Sequence, residues 1–172
     1  MISWHRRGVG EEIVSSLLDS PCGLWSVRWV PQGICEIISE KPSRKDPFGS
    51  GILPIWLEKA WEQFWQGKRP MVTFSIDRPI PEFTCRVYEI VSEIPVGETM
   101  TYAKVAEAAG NIRAARAVGS VMRNNPWALF IPCHRVIGSD GSMTGYGGPK
   151  GIPLKKRILA HEKKIQKPTW GA

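Results

Sequence analysis

A cysteine, a histidine and an arginine stand side by side at Cys133, His134 and Arg135, directly after Pro132. A lone cysteine behind an apolar run such as 127–131 is most often an inert core residue. A neighbouring imidazole or guanidinium changes that expectation, because both favour the thiolate, the nucleophilic form of the side chain. Adjacent side chains of an extended segment point to opposite sides, so a water would have to bridge Cys133 and His134. The cluster predicts nucleophilic chemistry at sulfur.

A carboxylate and a glycine-rich loop follow this cluster. Glu162 lies near the end of a segment with helical periodicity, 153–164, and is an acid that could orient a histidine. Six glycines surround Tyr146 within 138–151, so the backbone there can approach a ligand closely.

The predicted helix 112–124 combines arginines with small residues. The arginines are Arg113, Arg116 and Arg123, and the small residues are Ala114, Ala117, Gly119 and Ser120. A recognition helix usually presents long polar side chains to base edges, whereas small residues let the backbone approach closely. Two interpretations stay open at this point. The helix contacts the sugar-phosphate backbone and minor groove of a nucleic acid, or it packs tightly against a neighbouring element.

Positive charge is concentrated in the C-terminal part of the chain. Residues 1–100 carry 11 Lys/Arg and 13 Asp/Glu, a balance of −2, whereas residues 101–172 carry 12 and 3, a balance of +9. This excess predicts a localised positive field that would attract a polyanion, although a solubilising surface would give the same count.

The composition, 42% hydrophobic and 23% charged, is that of a globular protein. We expect a cytoplasmic protein, since the sequence shows neither a membrane-spanning run nor a signal peptide.

The first 80 residues predict a small α/β domain. Residues 22–38 alternate in hydrophobicity around a turn and predict a β-hairpin. Residues 54–66 predict a helix that begins at a proline and buries one apolar face, formed by Leu57, Ala60, Trp61 and Phe64. Residues 68–81, rich in proline, predict an extended connector to the next domain.

The remaining residues, 81–172, predict a mostly helical domain. A leading helix over 81–93 precedes a second helix capped by Thr101 and a third, 112–124, that opens at Asn111. Two short helices joined by a tight turn are typical of a helix-turn-helix. The predicted fold class is α+β: a small N-terminal domain of sheet and helix, followed by a winged helix-turn-helix domain.

The cysteines do not indicate a metal site or a disulfide framework. They stand at positions 22, 35, 85 and 133, with no CxxC pair and no histidine at ligand spacing. A bridge between Cys22 and Cys35 is disfavoured, because the predicted hairpin places residue 22 opposite the region near residue 41. We predict no bound zinc.

The segment Ile131-Pro132-Cys133-His134-Arg135-Val136 resembles the signature of the O6-alkylguanine-DNA alkyltransferases. Further motifs follow in that family's order: the Thr101-Tyr102 helix start, Arg116-Ala-Val-Gly119, Asn125-Pro126, Gly145-Tyr146-Gly147-Gly148 and Leu159-Ala160-His161-Glu162. The resemblance covers roughly 82–165. It implies a protein that moves an alkyl group from O6 of guanine, with O4-alkylthymine as a second candidate substrate, to its own cysteine once per molecule. The partner would be duplex DNA containing the lesion, bound by a monomer without a metal or soluble cofactor.

The resemblance also implies catalytic roles for five residues. Cys133 would be the alkyl acceptor, His134 would take its proton through a water, and Glu162 would hold that histidine. Tyr102 would donate a proton to the leaving guanine, and Asn125 would brace the turn.

A DNA-facing surface and a guanine pocket are implied in the same way. The DNA-facing residues would be Arg116, Ala117, Gly119, Ser120, Arg123, Tyr102 and Arg135, with Arg116 filling the space left by a flipped base. The pocket would be lined by Met122, Val136, Tyr146, Gly147 and Gly148. Many relatives have Asn-Tyr-Ser-Gly where this chain has Gly145-Tyr146-Gly147-Gly148, so a hydroxyl at position 147 is absent. This departure bears on pocket rigidity and substrate size rather than on the reaction.

Three other classes of protein fit the sequence less well. A non-catalytic lesion-binding relative would lack the acceptor cysteine, whereas Cys133 is present. A winged-helix regulator would need base-reading side chains on its third helix. A cysteine hydrolase would have no need of the +9 charge balance over 101–172.

Overall fold

The computed structural model describes residues 2–39, 52–143 and 151–166, which belong to two compact units. The first unit contains Met1–Pro79 and Pro126–Phe130, and the second contains Ile80–Asn125 and Ile131–Ala172. The predicted domains, 1–80 and 81–172, did not anticipate that residues 126–130 join the first unit.

The first unit is built on a five-stranded sheet. Its strands are β1 (Ser3–Arg6), β2 (Val14–Leu18), β3 (Trp25–Val30), β4 (Gly33–Ser39) and β5 (Thr73–Ile76), in the order β1-β5-β4-β3-β2. β3 pairs antiparallel with β2 and β4, whereas β5 pairs in parallel with β1 and β4. The predicted hairpin is therefore confirmed as β3–β4. The prediction of an extended connector over 68–81 is wrong in part, because β5 is a four-residue inner strand, too short to show a period of its own.

One helix and a returning segment complete this unit. The helix α1 (Ile55–Trp65) buries Leu57, Ala60, Trp61, Phe64 and Trp65, the predicted face extended by one residue. In the returning segment, the indole nitrogen of Trp127 donates to the carbonyl of Ile34 at 2.9 Å. The ring of Phe130 lies 5.8 Å from that of Phe64. Residues 126–130 are thus held by both backbone and aromatic contacts.

The described residues of the second unit form four helices and a two-stranded ladder. Its elements are α2 (Glu82–Ser92), β6 (Met100–Thr101), α3 (Tyr102–Ala108), α4 (Ala115–Arg123), a single 3₁₀ turn (Cys133–Arg135), β7 (Val136–Ile137) and α5 (Ile152–Gln166). α3, α4 and the turn between them form the helix-turn-helix, and the fold class is α+β as predicted. In the described part of the chain, no helix combines the length and apolarity needed to cross a membrane.

The ends of α3 and α4 follow from local hydrogen bonds. The hydroxyl of Thr101 accepts from the backbone N–H of Lys104 at 3.2 Å, which confirms the predicted cap. α4 begins later than predicted, at Ala115. The side chain of Asn111 accepts from the N–H of Arg113 at 3.1 Å, and this local turn replaces the first helical turn.

Candidate active site and DNA-facing helix

Cys133 is presented by two successive tight turns. Pro132 has φ −78° and ψ 64°, and the N–H of Cys133 donates to the carbonyl of Ile131 at 2.7 Å, which is an inverse γ-turn. The N–H of Arg135 then donates to the carbonyl of Pro132 at 2.8 Å, and that of Val136 donates to Cys133. Because the proline ring fixes φ, this backbone is preorganised. The cysteine it presents is 6% exposed.

His134 and Glu162 form a fully buried pair. Nε2 of His134 lies 2.8 Å from Oε1 of Glu162, and the residues are 0% and 2% exposed. Burial by itself would raise the pKa of Glu162, but hydrogen bonds and charge from His134 and Arg135 lower it to about 2. Burial lowers the pKa of His134 more than Glu162 raises it. The pair is therefore a carboxylate and a neutral imidazole at neutral pH.

The tautomer of His134 follows from these ionisation states. An ionised carboxylate only accepts hydrogen bonds, so Nε2 of His134 carries the proton that faces Glu162. In a neutral imidazole the other nitrogen, Nδ1, then holds the lone pair. The hydrogen bond between Nε2 and Glu162 is the contact that the expected role of Glu162, to hold the histidine, requires. It leaves Nδ1 as the basic nitrogen.

Arg135 is part of this buried cluster, which corrects its placement among the DNA-facing residues. Its Nε lies 3.1 Å from both carboxylate oxygens of Glu162, and its Nη2 lies 2.8 Å from Oε1. Its Nη1 donates to the carbonyl of Ile94 at 2.6 Å. The N–H of Gly97 donates to Oε2 of Glu162 at 3.2 Å. A guanidinium that is 6% exposed and bonded on these sides does not face DNA.

The thiol of Cys133 rests in its protonated form. Burial raises the pKa of this thiol, while a hydrogen bond from Asn125 and the positive charge of Lys155 oppose the rise. Asn125 also donates to the carbonyl of Ile131 at 2.9 Å, which connects its side chain to the turn that presents Cys133. A buried neutral thiol needs a base before it can act as a nucleophile.

Lys155 is a buried residue of the site that sequence reasoning missed. It is 0% exposed, and its ammonium donates to the main-chain carbonyl of Val136. Burial lowers the pKa of Lys155 to about 8, and the neighbouring Cys133 opposes that effect. In the sequence Lys155 belongs to the basic run Lys155-Lys156-Arg157, and nothing there distinguishes the buried member from its exposed neighbours.

A short parallel ladder brings Tyr102 toward the turn that presents Cys133. Met100 pairs with Val136 and Thr101 pairs with Ile137, across β6 and β7. Tyr102, half-buried, is the first residue of α3 directly after this ladder. The start of the helix-turn-helix and the end of the 3₁₀ turn are therefore neighbours in space.

The exposed face of α4 carries two of the three predicted arginines together with small residues, whereas Arg113 and Ala114 precede the helix. Val118 and Met122 are its buried residues, whereas Arg116, Ala117, Ser120 and Arg123 are exposed and Gly119 is half-buried. Within the described part of the chain, a Cβ built on Gly119 would meet no atom within 4 Å. This open space argues against the interpretation that α4 packs tightly through its small residues, and favours a surface for close approach of a ligand.

The structure describes two of the five residues of the predicted pocket. Met122 and Val136 are buried, and the N–H and carbonyl of Val136 bond to Cys133 and Lys155 within the protein. Tyr146, Gly147 and Gly148 lie outside the described residues.

All four cysteines are thiols, so Cys22 and Cys35 form no bridge. Among the described residues, no three His, Cys, Asp or Glu side chains are grouped to hold a metal ion.

Comparisons with known proteins identify relatives of this chain. The family model described as 6-O-methylguanine DNA methyltransferase, DNA binding domain, matches residues 82–164. The methylated-DNA–protein-cysteine methyltransferase of Mus musculus is 32% identical over 175 residues, covering 86% of this chain and 80% of that protein.

Two mycobacterial proteins extend the comparison. The protein of the same name from Mycolicibacterium paratuberculosis is 42% identical over 101 residues. These residues are 59% of this chain and 60% of that relative, so the match spans less than two thirds of the relative's length. The crystal structure of Mycobacterium tuberculosis OGT in complex with DNA is 31% identical, with a TM-score of 0.68, and covers 88% of this chain and 94% of that one.

Proposed function

This chain belongs to the methylated-DNA–protein-cysteine methyltransferase family, and we propose that it repairs DNA by moving an alkyl group from O6 of guanine to Cys133. The observation that carries the proposal is the buried cluster of Cys133, His134 and Glu162, in which a neutral imidazole is held at Nε2 beside a thiol. Cys133, His134 and Glu162 all lie in one compact unit, so we propose that the protein acts as a monomer.

The reaction is a displacement at the alkyl carbon. His134 takes the thiol proton on Nδ1, through a bridging water, and leaves a thiolate on Cys133. The sulfur lone pair forms the S–C bond while the C–O6 bond breaks, and its electron pair stays on guanine. Tyr102 donates a proton to the departing guanine, and the proton held by His134 restores the tyrosine through solvent.

The product explains why each molecule reacts once. The alkylated sulfur is a thioether, whose carbon–sulfur bond offers no good leaving group to water. Nothing in the cluster regenerates the thiol, since His134 and Glu162 act on a proton that the thioether lacks. Transfer is therefore stoichiometric and irreversible.

Duplex DNA is bound along the exposed face of α4. A base within a duplex cannot reach a thiol that is 6% exposed, so the damaged nucleotide must leave the stack. Arg116 on the exposed face enters the vacated space, and the small residues Ala117 and Gly119 allow the backbone of α4 close to the minor groove. This contact is largely independent of sequence and weakens with salt, because it is made to phosphates.

Intact-protein mass spectrometry tests the proposal directly. The protein is mixed with a short duplex that contains one O6-methylguanine, and a matched duplex with unmodified guanine is the control. We expect a gain of about 14 Da that saturates at one per protein and maps to Cys133. Unchanged protein mass with the lesion still bound would indicate a lesion-binding protein instead. Repeated product release from unmodified protein would indicate a turnover enzyme and refute the mechanism.

A further inference from the structure

We propose that Arg135 is a positioning residue that keeps His134 neutral, so that the imidazole can take the proton of Cys133. This inference rests on the proposed function. It assigns a task to the arginine that follows the Cys-His pair, and that task is distinct from contact with DNA.

The guanidinium of Arg135, which is permanently charged, is hydrogen-bonded to Glu162, the partner of His134. Arg135 donates from Nε and Nη2 to Glu162 over 2.8–3.1 Å, and its Nη1 is bonded to the carbonyl of Ile94. A guanidinium does not lose its proton in proteins, so the carboxylate faces a fixed positive charge at every working pH. The same oxygen, Oε1 of Glu162, lies 2.8 Å from Nε2 of His134.

The charge balance of the buried cluster then determines the state of His134. Within the hydrogen-bonded set of His134, Glu162 and Arg135, the carboxylate and the guanidinium cancel when the imidazole is neutral. A protonated His134 would add a further positive charge to a buried site that already contains Lys155. Without Arg135 the balance reverses. A neutral imidazole would then leave the buried carboxylate without a cation hydrogen-bonded to it, because Lys155 bonds to the carbonyl of Val136, and His134 would bind a proton in order to pair with Glu162.

The charged groups around His134 agree with this account. Burial lowers the pKa of His134, Glu162 from α5 raises it, and Arg135 and Lys155 lower it. Cys133 is the remaining titratable neighbour in the same 3₁₀ turn. When the thiol proton moves to Nδ1, the new imidazolium is matched by the new thiolate. The cluster is therefore arranged so that His134 becomes charged during the reaction and not before it.

The test replaces the guanidinium by an uncharged side chain. In Arg135→Met, ¹⁵N NMR of the imidazole should show His134 protonating at a higher pH than in the wild type. Transfer from free O6-benzylguanine should fall about 10-fold or more at pH 7, and this deficit should shrink as the pH rises and His134 becomes neutral again. Arg135→Lys keeps the charge and should recover part of the rate. Arg157→Met, at an exposed arginine of α5, is the matched control and should change neither measurement.

Two results would overturn the inference: a His134 titration in Arg135→Met equal to that of the wild type, or a rate deficit that stays constant with pH. If Arg135→Met does not fold, Arg135→Gln removes the charge while keeping hydrogen-bond donors, and the same expectations apply to it. A wild-type protein that accepts no alkyl group would refute the proposed function. The His134 titration, measured without substrate, would still decide the role of Arg135.

Discussion

Met100 pairs in parallel with Val136, so the strand that leads into the helix-turn-helix lies beside the strand that leaves the Cys133 turn. Val136 is also held through its carbonyl by the buried Lys155. Because α3 begins immediately after this ladder, the elements proposed to bind DNA and to carry out the chemistry share one backbone anchor. Substitutions can nevertheless separate the two activities, since the exposed face of α4 and the buried cluster use different side chains.

Cys133→Ala should abolish alkyl transfer and leave DNA affinity unchanged. The acceptor sulfur is lost, whereas the exposed face of α4 is untouched. Mass spectrometry and a binding titration with the same lesion-containing duplex would measure the two effects. Transfer that persists in this variant would remove Cys133 from the acceptor role.

Arg116→Ala should impair repair of duplex DNA far more than reaction with free O6-benzylguanine. Arg116 is exposed on α4 and, as proposed, occupies the space of the flipped base, which the free base does not require. Rates on the two substrates give the comparison. Arg86→Ala is a suitable control, because Arg86 is exposed on α2 and paired with Glu82 at 2.8 Å. Equal losses on both substrates would contradict a role in flipping.

Gly119→Ala should weaken DNA binding without weakening the fold. The added methyl group meets no described atom within 4 Å, and alanine favours a helix over glycine by up to about 1 kcal/mol. Thermal unfolding should therefore occur at an equal or higher temperature, while the methyl group holds the helix away from the DNA backbone. Unchanged DNA affinity across a range of salt concentrations would show that α4 does not approach DNA at this position.

Acid should destabilise the folded protein through the buried cluster. The pKa of Glu162 is lowered to about 2 in the folded state, so its stabilising contribution is present above its unfolded pKa and is lost as the pH falls toward 2. The pKa of His134 is lowered as well, which adds a loss of stability that begins as the pH falls through its unfolded value.

Denaturant titrations between about pH 7 and pH 3 measure this loss, which should reach the order of 2 kcal/mol for the carboxylate at the acid end of that range. Glu162→Gln should be less stable than the wild type at neutral pH, and its stability should vary less with pH in the acid range. Parallel pH profiles for the two proteins would exclude Glu162 as the source of the acid sensitivity.

The elements whose signals are local could be predicted from the sequence alone. The Thr101 cap, the apolar face of α1 and the β3–β4 hairpin each depend on residues within a few positions of one another. The Cys-His-Arg segment was identified as a candidate site for the same reason, since its chemistry is carried by adjacent residue types.

Which charged side chains face inward could not be predicted from the sequence, because it depends on tertiary contacts. Arg135, expected at the DNA surface, is buried on Glu162, and Lys155 is buried while Lys156 and Arg157 beside it are exposed. Burial of a charge depends on a partner distant in the chain: Glu162 for Arg135 and the carbonyl of Val136 for Lys155. The short strands β5, β6 and β7 could not be predicted for the same reason. They are defined by hydrogen bonds to segments distant in the chain rather than by a sequence pattern of their own.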